Sequence, residues 1–298
     1  MFRTVELDVF GIELKCKTNE EGAKPFYMGF DDWEDRIDKN SDNYSRWNNG
    51  NFDGGDKDLT IRDTSGKDAR YTIYAVSREN YANTKIPVLC REKLTEKTYM
   101  QTSKDWRNIE MTGWVYVERA NSNDEITFYA RSGKHGNNAR KDTGDDDWKN
   151  GCEGCALKAC IHYDGSLKYD KETHHGSDNQ GDMHTPTDLQ DGIKGKWIGF
   201  KYILYNRNGN NEPTMEWWID FLNTDQNNVN SSGVPRNEWE KVHTMIDDGF
   251  GDGTECNDCP TKGVPITWGG PIAMIRWDKV KKVHLKWVSV REINPPSE

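Results

Sequence analysis

Apolar and polar residues alternate with a two-residue period along much of the chain, which is typical of β-strands with one buried face. No long segment has the spacing of an amphipathic helix. The alternating segments predict strands at 4–10, 59–63, 70–76, 109–118, 125–131, 157–163, 166–173, 196–205, 214–221, 272–277 and 284–293. A short helix is expected over 237–246. The pattern therefore predicts an all-β chain.

Eleven strands are more than one open sheet holds comfortably, and Gly-, Asn- and Asp-rich turns separate them. Two packed sheets follow, so we expect a two-sheet antiparallel jelly-roll β-sandwich. The sequence shows no repeat of 20–50 residues and no Pro-rich linker, which favours one domain over residues 1–298.

The composition and charge of the chain exclude some classes of function. The 298 residues carry a formal charge of −10, are 34% hydrophobic and include 12 Trp. The negative balance and the lack of long basic runs weigh against binding nucleic acid. No apolar run is long enough to span a membrane, and the first residues lack the pattern of a signal peptide, so we expect an export signal to be absent or removed. The composition suits an extracellular or cell-surface protein whose partner is a polysaccharide.

The strand at 214–221 offers the clearest candidate chemistry. Alternation places Glu216, Trp218 and Asp220 on the face opposite its apolar residues. An indole can stack on the C–H face of a sugar, while two carboxylates can bind hydroxyls or act as acid and base. The alternative is a solvated acidic face with one exposed Trp.

A second polar face is predicted on the strand at 125–131, where Tyr129 and Arg131 alternate with apolar residues. The turn that follows adds Lys134 and His135. Arg131 could neutralise a substrate carboxylate there, or it could be a surface residue in a salt bridge.

The dipeptide Asp164-Gly165 predicts a β-hairpin between two alternating runs. His162 precedes the turn. Further candidate binding side chains follow it: Lys168, Lys171, Glu172 and His175. His162 alone would be expected to be a structural histidine.

The cysteines allow two interpretations. Two Cys-x-x-Cys pairs, at Cys152 and Cys155 and at Cys256 and Cys259, have the ligand count of a structural zinc site, but about a hundred residues separate them. A disulfide between the two loops is favoured over zinc. Calcium is a further candidate at two acidic stretches, formed by Asp247, Asp248, Asp252 and Glu255 and by Asp53, Asp56 and Asp58. No cofactor is required.

Three segments together resemble the concanavalin A-like lectin/glucanase jelly roll: IHYDGSLKYDKE, GKWIGFKYILYNRNG followed by MEWWIDF, and GPIAMIRWDKVKKVHLKWVSVREI. The resemblance is greatest to the alginate-lyase-like polysaccharide lyases. It covers about 109–293, and residues 1–108 are expected to belong to the same domain. Ile161-His162 resembles the Ile-His of the lyase motif, with Cys160 where that motif has Gln, and Arg131 takes the place of the lyase arginine. The Tyr-bearing motif is missing, although Tyr129, Tyr202 or Tyr205 could replace its tyrosine.

The resemblance implies β-elimination on a uronic-acid polymer. Arg131 would neutralise the substrate carboxylate, His162 or His135 would remove the proton, and a tyrosine would protonate the leaving oxygen. Tyr129 and Trp218 would act as sugar platforms, beside basic side chains such as Lys134, Lys168 and Lys171. Two alternatives remain open: a non-catalytic lectin-like module, and a hydrolase that uses Glu216 and Asp220.

Overall fold

The computed structural model describes residues 5–27, 58–62, 70–76, 105–120, 124–132, 156–172, 179–221, 235–251, 263–270 and 272–296. The strands are β1 Phe26–Tyr27, β2 Asp58–Arg62, β3 Arg70–Val76, β4 Ile109–Ala120, β5 Glu125–Ser132, β6 Ala156–His162, β7 Leu167–Glu172, β8 Asn179–His184, β9 Trp197–Arg207, β10 Glu212–Asp220, β11 Trp239–Ile246, β12 Ile272–Asp278 and β13 Val280–Glu292. A 3-10 helix covers Thr187–Leu189.

The strands form two antiparallel sheets, which confirms the predicted β-sandwich. The seven-stranded sheet has the order β1-β13-β4-β9-β10-β11, with β2 also paired to β13. The six-stranded sheet has the order β3-β12-β5-β6-β7-β8. The early strands β1, β2 and β3 pair with β13 and β12 near the end of the sequence.

The hydrophobic core lies between the sheets, where the inward side chains of each strand meet. Met215, Trp217 and Ile219 of β10 are fully buried, as alternation predicted. Trp217 packs edge-on against Phe128 of β5, with ring centroids 5.4 Å apart. These contacts determine which face of each strand remains outside the core.

Two sequence predictions about local structure are wrong. Residues 237–246 do not form a helix, because β11 pairs with β10 along its whole length as the edge strand of the seven-stranded sheet. Residues 4–10 do not form a strand of either sheet over their described part. Instead the chain turns back on itself, with a single bridge between Leu7 and Glu13.

The predicted hairpin at Asp164-Gly165 joins β6 to β7, and Gly165 has φ +92°. A Cβ atom on Gly165 would lie 1.9 Å from the carbonyl oxygen of Leu189. The hairpin therefore requires glycine at this position.

We therefore expect Gly165→Ala to lower the free energy of unfolding by about 3 kcal/mol or more. A strained φ alone costs about 1–3 kcal/mol, and the backbone clash adds to that cost. Urea denaturation would measure the loss. Gly209→Ala is the matched control, because Gly209 also has positive φ but no atom within 4 Å of the added Cβ. Equal losses for the two variants would contradict the clash.

Candidate carbohydrate-binding site

The two sheets separate the residues that the sequence suggested as one site. Tyr129, His162, Lys168 and Glu172 belong to β5, β6 and β7 of the six-stranded sheet. Glu216, Trp218 and Asp220 lie on β10 of the seven-stranded sheet. In both sheets these residues alternate with core residues and so occupy the outer faces. The hydrophobic core lies between the two groups, so they cannot act on the same sugar.

Arg131 does not share the outer face with Tyr129, which corrects the prediction from alternation. Its φ is +55° and its side chain is fully buried. The guanidinium donates hydrogen bonds to the carbonyl oxygens of Arg107 and Ile266. Burial lowers the pKa of Arg131 to about 10. A left-handed backbone at the end of β5 breaks the alternation, so Arg131 has no surface with which to contact a substrate carboxylate.

Lys171 is also inside the protein. Its ammonium donates to Asp247 Oδ1 at 2.7 Å and to the carbonyl oxygen of Val264 at 2.6 Å, and neither charged side chain is exposed. The expected sugar-binding role of Lys171 is therefore not compatible with its position. The same ion pair occupies Asp247, one of the expected calcium ligands, while Asp252 and Glu255 lie outside the described residues.

Tyr129 is on the outer face of its sheet but is only 1% exposed. Lys158 lies 5.0 Å from its ring centroid, and Arg276 both lies 5.5 Å from that centroid and hydrogen-bonds the hydroxyl group. Lys158 in turn pairs with Glu172 at 2.8 Å, and both side chains are nearly buried. Tyr129 and Glu172 thus belong to a closed polar network, and Tyr129 cannot act as an open sugar platform.

His162 and Lys168 retain some exposure, 18% and 14% of their side chains. They lie beside Glu125, Cys160 and Asp170, and these three side chains could hold a metal ion. Several other predicted site and metal-binding residues lie outside the described part of the chain: Lys134, His135, Cys152, Cys155, His175, Cys256 and Cys259. Cys16 and Cys160 are both buried free thiols.

An N-terminal segment lies on the outer face of the seven-stranded sheet. We call residues 5–24 the strap. Phe10 and Ile12 of the strap pack with Trp114 and Trp239 of that face. Asn237 fastens the strap through two hydrogen bonds, from the Glu13 N–H to Oδ1 at 2.7 Å and from Nδ2 to the Gly11 carbonyl oxygen at 2.8 Å.

A pocket of about 490 Å³ opens between the strap and this face. Its volume is in the range of small-molecule binding sites. The strap contributes one wall and β9, β10 and β11 the other. Its lining residues include Glu13, Lys15, Cys16, Ile203, Tyr205, Glu216, Trp218 and Lys241.

Trp218 is half-buried in this pocket and its ring has a fixed orientation. The indole N–H donates to Glu216 Oε2 at 2.8 Å. The ammonium groups of Lys15 and Lys241 lie 4.8 Å and 5.7 Å from the ring centroid. The Lys241 side chain is 45% exposed, so its ammonium group can move aside when another group stacks on the ring.

Glu216 connects the polar groups of the pocket. Its Oε1 atom accepts hydrogen bonds from the Tyr205 hydroxyl at 3.1 Å and from the Lys241 ammonium at 3.3 Å. Burial, followed by the nearby Glu216 carboxylate, raises the pKa of Tyr205, so its phenol stays protonated and able to donate. The pocket therefore presents hydrogen-bond donors and acceptors around an aromatic ring.

Asp220 does not line this pocket. It is fully buried at the end of β10, where Oδ2 accepts a hydrogen bond from the N–H of Glu238 at 3.4 Å. A hydrolase that uses Glu216 and Asp220 as nucleophile and acid therefore stays a prediction. Sequence reasoning also missed Lys15 and Lys241, because neither the strap nor an edge strand at 239–246 was expected there.

Among the described residues, no helix is both long and apolar enough to cross a membrane. No protein-family model matches the sequence, and no curated protein matches it either.

Several solved structures are remotely similar in fold. One is the carbohydrate-binding module CBM66 from Bacillus subtilis, at 10% identity over 74% of this chain and 82% of that chain, with a TM-score of 0.35. The exoplasmic/lumenal domain of VIP36, in a form bound to Ca²⁺ and Man3GlcNAc, has 8% identity, coverage of 82% and 81%, and a TM-score of 0.38. Lectin II from Ulex europaeus has 8% identity, coverage of 81% and 89%, and a TM-score of 0.35. These likenesses carry no functional inference, and the alginate-lyase branch stays a prediction.

Proposed function

We propose that the protein binds a carbohydrate polymer in the pocket between the strap and the seven-stranded sheet. The observation that carries this proposal is the Trp218 ring, which lies at a pocket wall and is held by Glu216. Sugar rings present C–H faces that pack on an indole and hydroxyl groups that need both donors and acceptors. Trp218 supplies the first interaction, and Tyr205, Glu216 and Lys241 supply the second.

The charges of the pocket indicate the kind of sugar. Three lysines and three glutamates line it: Lys15, Lys17, Lys241, Glu6, Glu13 and Glu216. Two of the lysines are paired within the pocket, Lys15 with Glu13 at 3.0 Å and Lys241 with Glu216 at 3.3 Å. Because the formal charges of these residues cancel, the pocket suits a neutral or modestly charged sugar rather than a dense polyanion.

We propose carbohydrate binding alone and do not propose that the protein catalyses β-elimination or hydrolysis. The buried position of Arg131 removes the group expected to neutralise a uronate. Asp220, the second carboxylate expected for hydrolysis, is fully buried and does not line the pocket. We also propose that the protein acts outside the cell or at its surface and that calcium takes part in carbohydrate binding. Binding measured with added calcium, and again with a chelator, tests the role of calcium.

The experiment is isothermal titration calorimetry against neutral glucans, alginate, glucuronan and pectin. We expect Trp218→Ala to weaken binding of the best ligand about 30-fold, since truncating a central aromatic anchor costs ~2 kcal/mol or more. Trp218→Phe keeps a stacking face but loses the hydrogen bond to Glu216, so its affinity should be intermediate. Tyr116→Ala is the control, because Tyr116 is a half-buried aromatic residue of the same sheet that does not line the pocket.

Failure of the wild-type protein to bind any polymer of the panel would contradict the proposal, as would a Trp218→Ala variant that binds normally. The same incubations are assayed for reducing ends and for unsaturated uronides. Reducing ends without unsaturation would indicate hydrolysis, and unsaturated products would indicate a lyase.

A further inference from the structure

A second group of polar side chains lies on the outer face of the six-stranded sheet, far from the pocket. We call Glu125, Cys160, His162 and Asp170 the thiol–carboxylate cluster. They come from three adjacent strands, β5, β6 and β7. The register places Glu125 opposite His162 and Cys160 opposite Lys168. Because Cys160 and His162 are two residues apart on β6, both point to the same face.

Three of these side chains offer metal-binding atoms that converge, and His162 lies beside one of them, Glu125. One ligand atom from each of Glu125, Cys160 and Asp170 lies within 4.8 Å of the others. His162 Nε2 is 3.3 Å from Glu125 Oε2, and Cys160 Sγ is 3.7 Å from Asp170 Oδ2. A further hydrogen bond orients the Glu125 carboxylate, since its Oε1 atom accepts from the Thr127 hydroxyl at 2.8 Å.

The cluster already surrounds a cation. The ammonium group of Lys168 lies 3.2 Å from Glu125 Oε2 and 2.9 Å from Asp170 Oδ2. This position shows that the carboxylate oxygens of two strands are directed at a single positive charge. Lys168 reaches it from a partly exposed position on a flexible four-carbon chain, so the ammonium group can withdraw to solvent without a change in the backbone.

The donor types determine which ion fits. A thiolate together with carboxylates suits Zn²⁺ and similar transition-metal ions, whereas Ca²⁺ takes oxygen ligands. A thiolate and two carboxylates around one divalent ion carry a formal charge of −1, the same as two carboxylates and a thiol around the Lys168 ammonium.

We propose that the thiol–carboxylate cluster binds Zn²⁺ or a similar transition-metal ion, which replaces the Lys168 ammonium group and the proton of Cys160. The site is independent of the proposed carbohydrate binding and differs from the zinc site that was the alternative to a disulfide at the Cys-x-x-Cys pairs. Metal binding should release protons, because the Cys160 thiolate replaces a thiol.

Cobalt(II) is the spectroscopic probe for this site, since a thiolate bound to cobalt has a charge-transfer band in the near ultraviolet. The full chain is titrated with Co²⁺, and the signal counted is the difference between the wild-type protein and Cys160→Ser. That difference excludes any band from the four Cys-x-x-Cys cysteines. Cys16→Ser is the matched control, because Cys16 is also a buried free thiol but belongs to the strap, on the other sheet. We expect the band to decrease in Cys160→Ser and to be unchanged in Cys16→Ser.

Lys168→Met provides a second and opposite test. Removing the competing positive charge should tighten zinc binding about tenfold or more. Zinc should then raise the melting temperature of Lys168→Met more than that of the wild-type protein, since stabilisation by a ligand grows with its affinity. A structural ion-pair network without a metal would give the contrary result, in which zinc has no larger effect on Lys168→Met.

The proposal is overturned if Cys160→Ser retains the whole cobalt band, or if Lys168→Met binds zinc no more tightly than the wild-type protein. Should Cys160→Ser fail to fold, Asp170→Asn replaces it and should weaken cobalt binding for the same reason. Glycan binding is measured on Cys160→Ser and Lys168→Met and is expected to stay unchanged, so failure of this proposal is distinguishable from failure of the proposed function.

Discussion

Replacing Glu110 with Gln is expected to lower the free energy of unfolding by roughly 3–5 kcal/mol, because it leaves two buried cations without their shared anion. Glu110 Oε1 lies 2.9 Å from the Lys201 ammonium and 2.5 Å from the Arg291 guanidinium, and all three side chains are 0% exposed. The three residues lie on β4, β9 and β13, on the face that carries the strap. Urea denaturation at neutral pH measures the loss.

The pH dependence of stability provides an independent check on this prediction. Arg291 and Lys201 lower the pKa of Glu110 to about 2, against the opposing effect of burial. A carboxyl with a lowered folded-state pKa stabilises the protein above its unfolded pKa of about 4.5 and loses that contribution as the pH falls toward 2. The acid-induced loss of stability should therefore be smaller in Glu110→Gln over that range.

Glu118→Gln is the matched control for Glu110→Gln. Glu118 belongs to the same strand and pairs with Lys282 and His284, but the pair is partly exposed. Exposed pairs contribute only about 0–1 kcal/mol. A Glu118→Gln variant that is destabilised as much as Glu110→Gln would show that burial of the charges is not the cause.

Replacing Lys171 with Met is expected to have a comparable effect, roughly 3–5 kcal/mol, because it removes the cation that pairs with the buried Asp247 side chain. Asp247 keeps its hydrogen bonds from the N–H groups of Gly249 and Ile266, at 3.0 Å and 2.7 Å. These bonds hold the carboxylate where it is and prevent it from turning to solvent. Thermal and urea unfolding measure the loss.

The Lys171→Met variant also separates a structural role from a sugar-binding role. At a temperature where the variant is folded, its affinity for the glycan should equal that of the wild-type protein, because Lys171 has no exposed surface. Lys241→Met is the comparison, since Lys241 lines the pocket and is 45% exposed. We expect this variant to lose affinity while keeping most of its stability. A loss of affinity in Lys171→Met would contradict the assignment.

Local patterns in the sequence predicted most of the strands and most of their faces. Burial of one face of each strand makes the two-residue period visible, as at Met215, Trp217 and Ile219. The hairpin at Gly165 was also predictable, because its turn needs a residue that accepts positive φ. The edge strand β11 was not predictable, because its partly exposed residues lack the alternation of a buried strand.

The alternation failed where the backbone has an irregularity that no local pattern reports. Arg131, at φ +55°, turns inward and has a buried guanidinium instead of a functional surface. Trp287, at φ +51°, lies at a register shift in β13 and joins the aromatic cluster on the outer face. Such bulges depend on the pairing of strands that are distant in the sequence.

The sequence by itself determined that this protein is a β-sandwich, and it indicated Glu216 and Trp218 as candidate binding residues. Only the tertiary structure decided that these two residues line one pocket, that Tyr129 and His162 belong to the opposite sheet, and that Lys15 of the strap lies beside Trp218. The physical reason is that alternation is a local signal, whereas strand pairing joins residues that are far apart in the sequence. Alternation records whether a side chain faces the core, whereas the partners of an outward side chain depend on strand order and on the path of the strap, which long-range pairing determines.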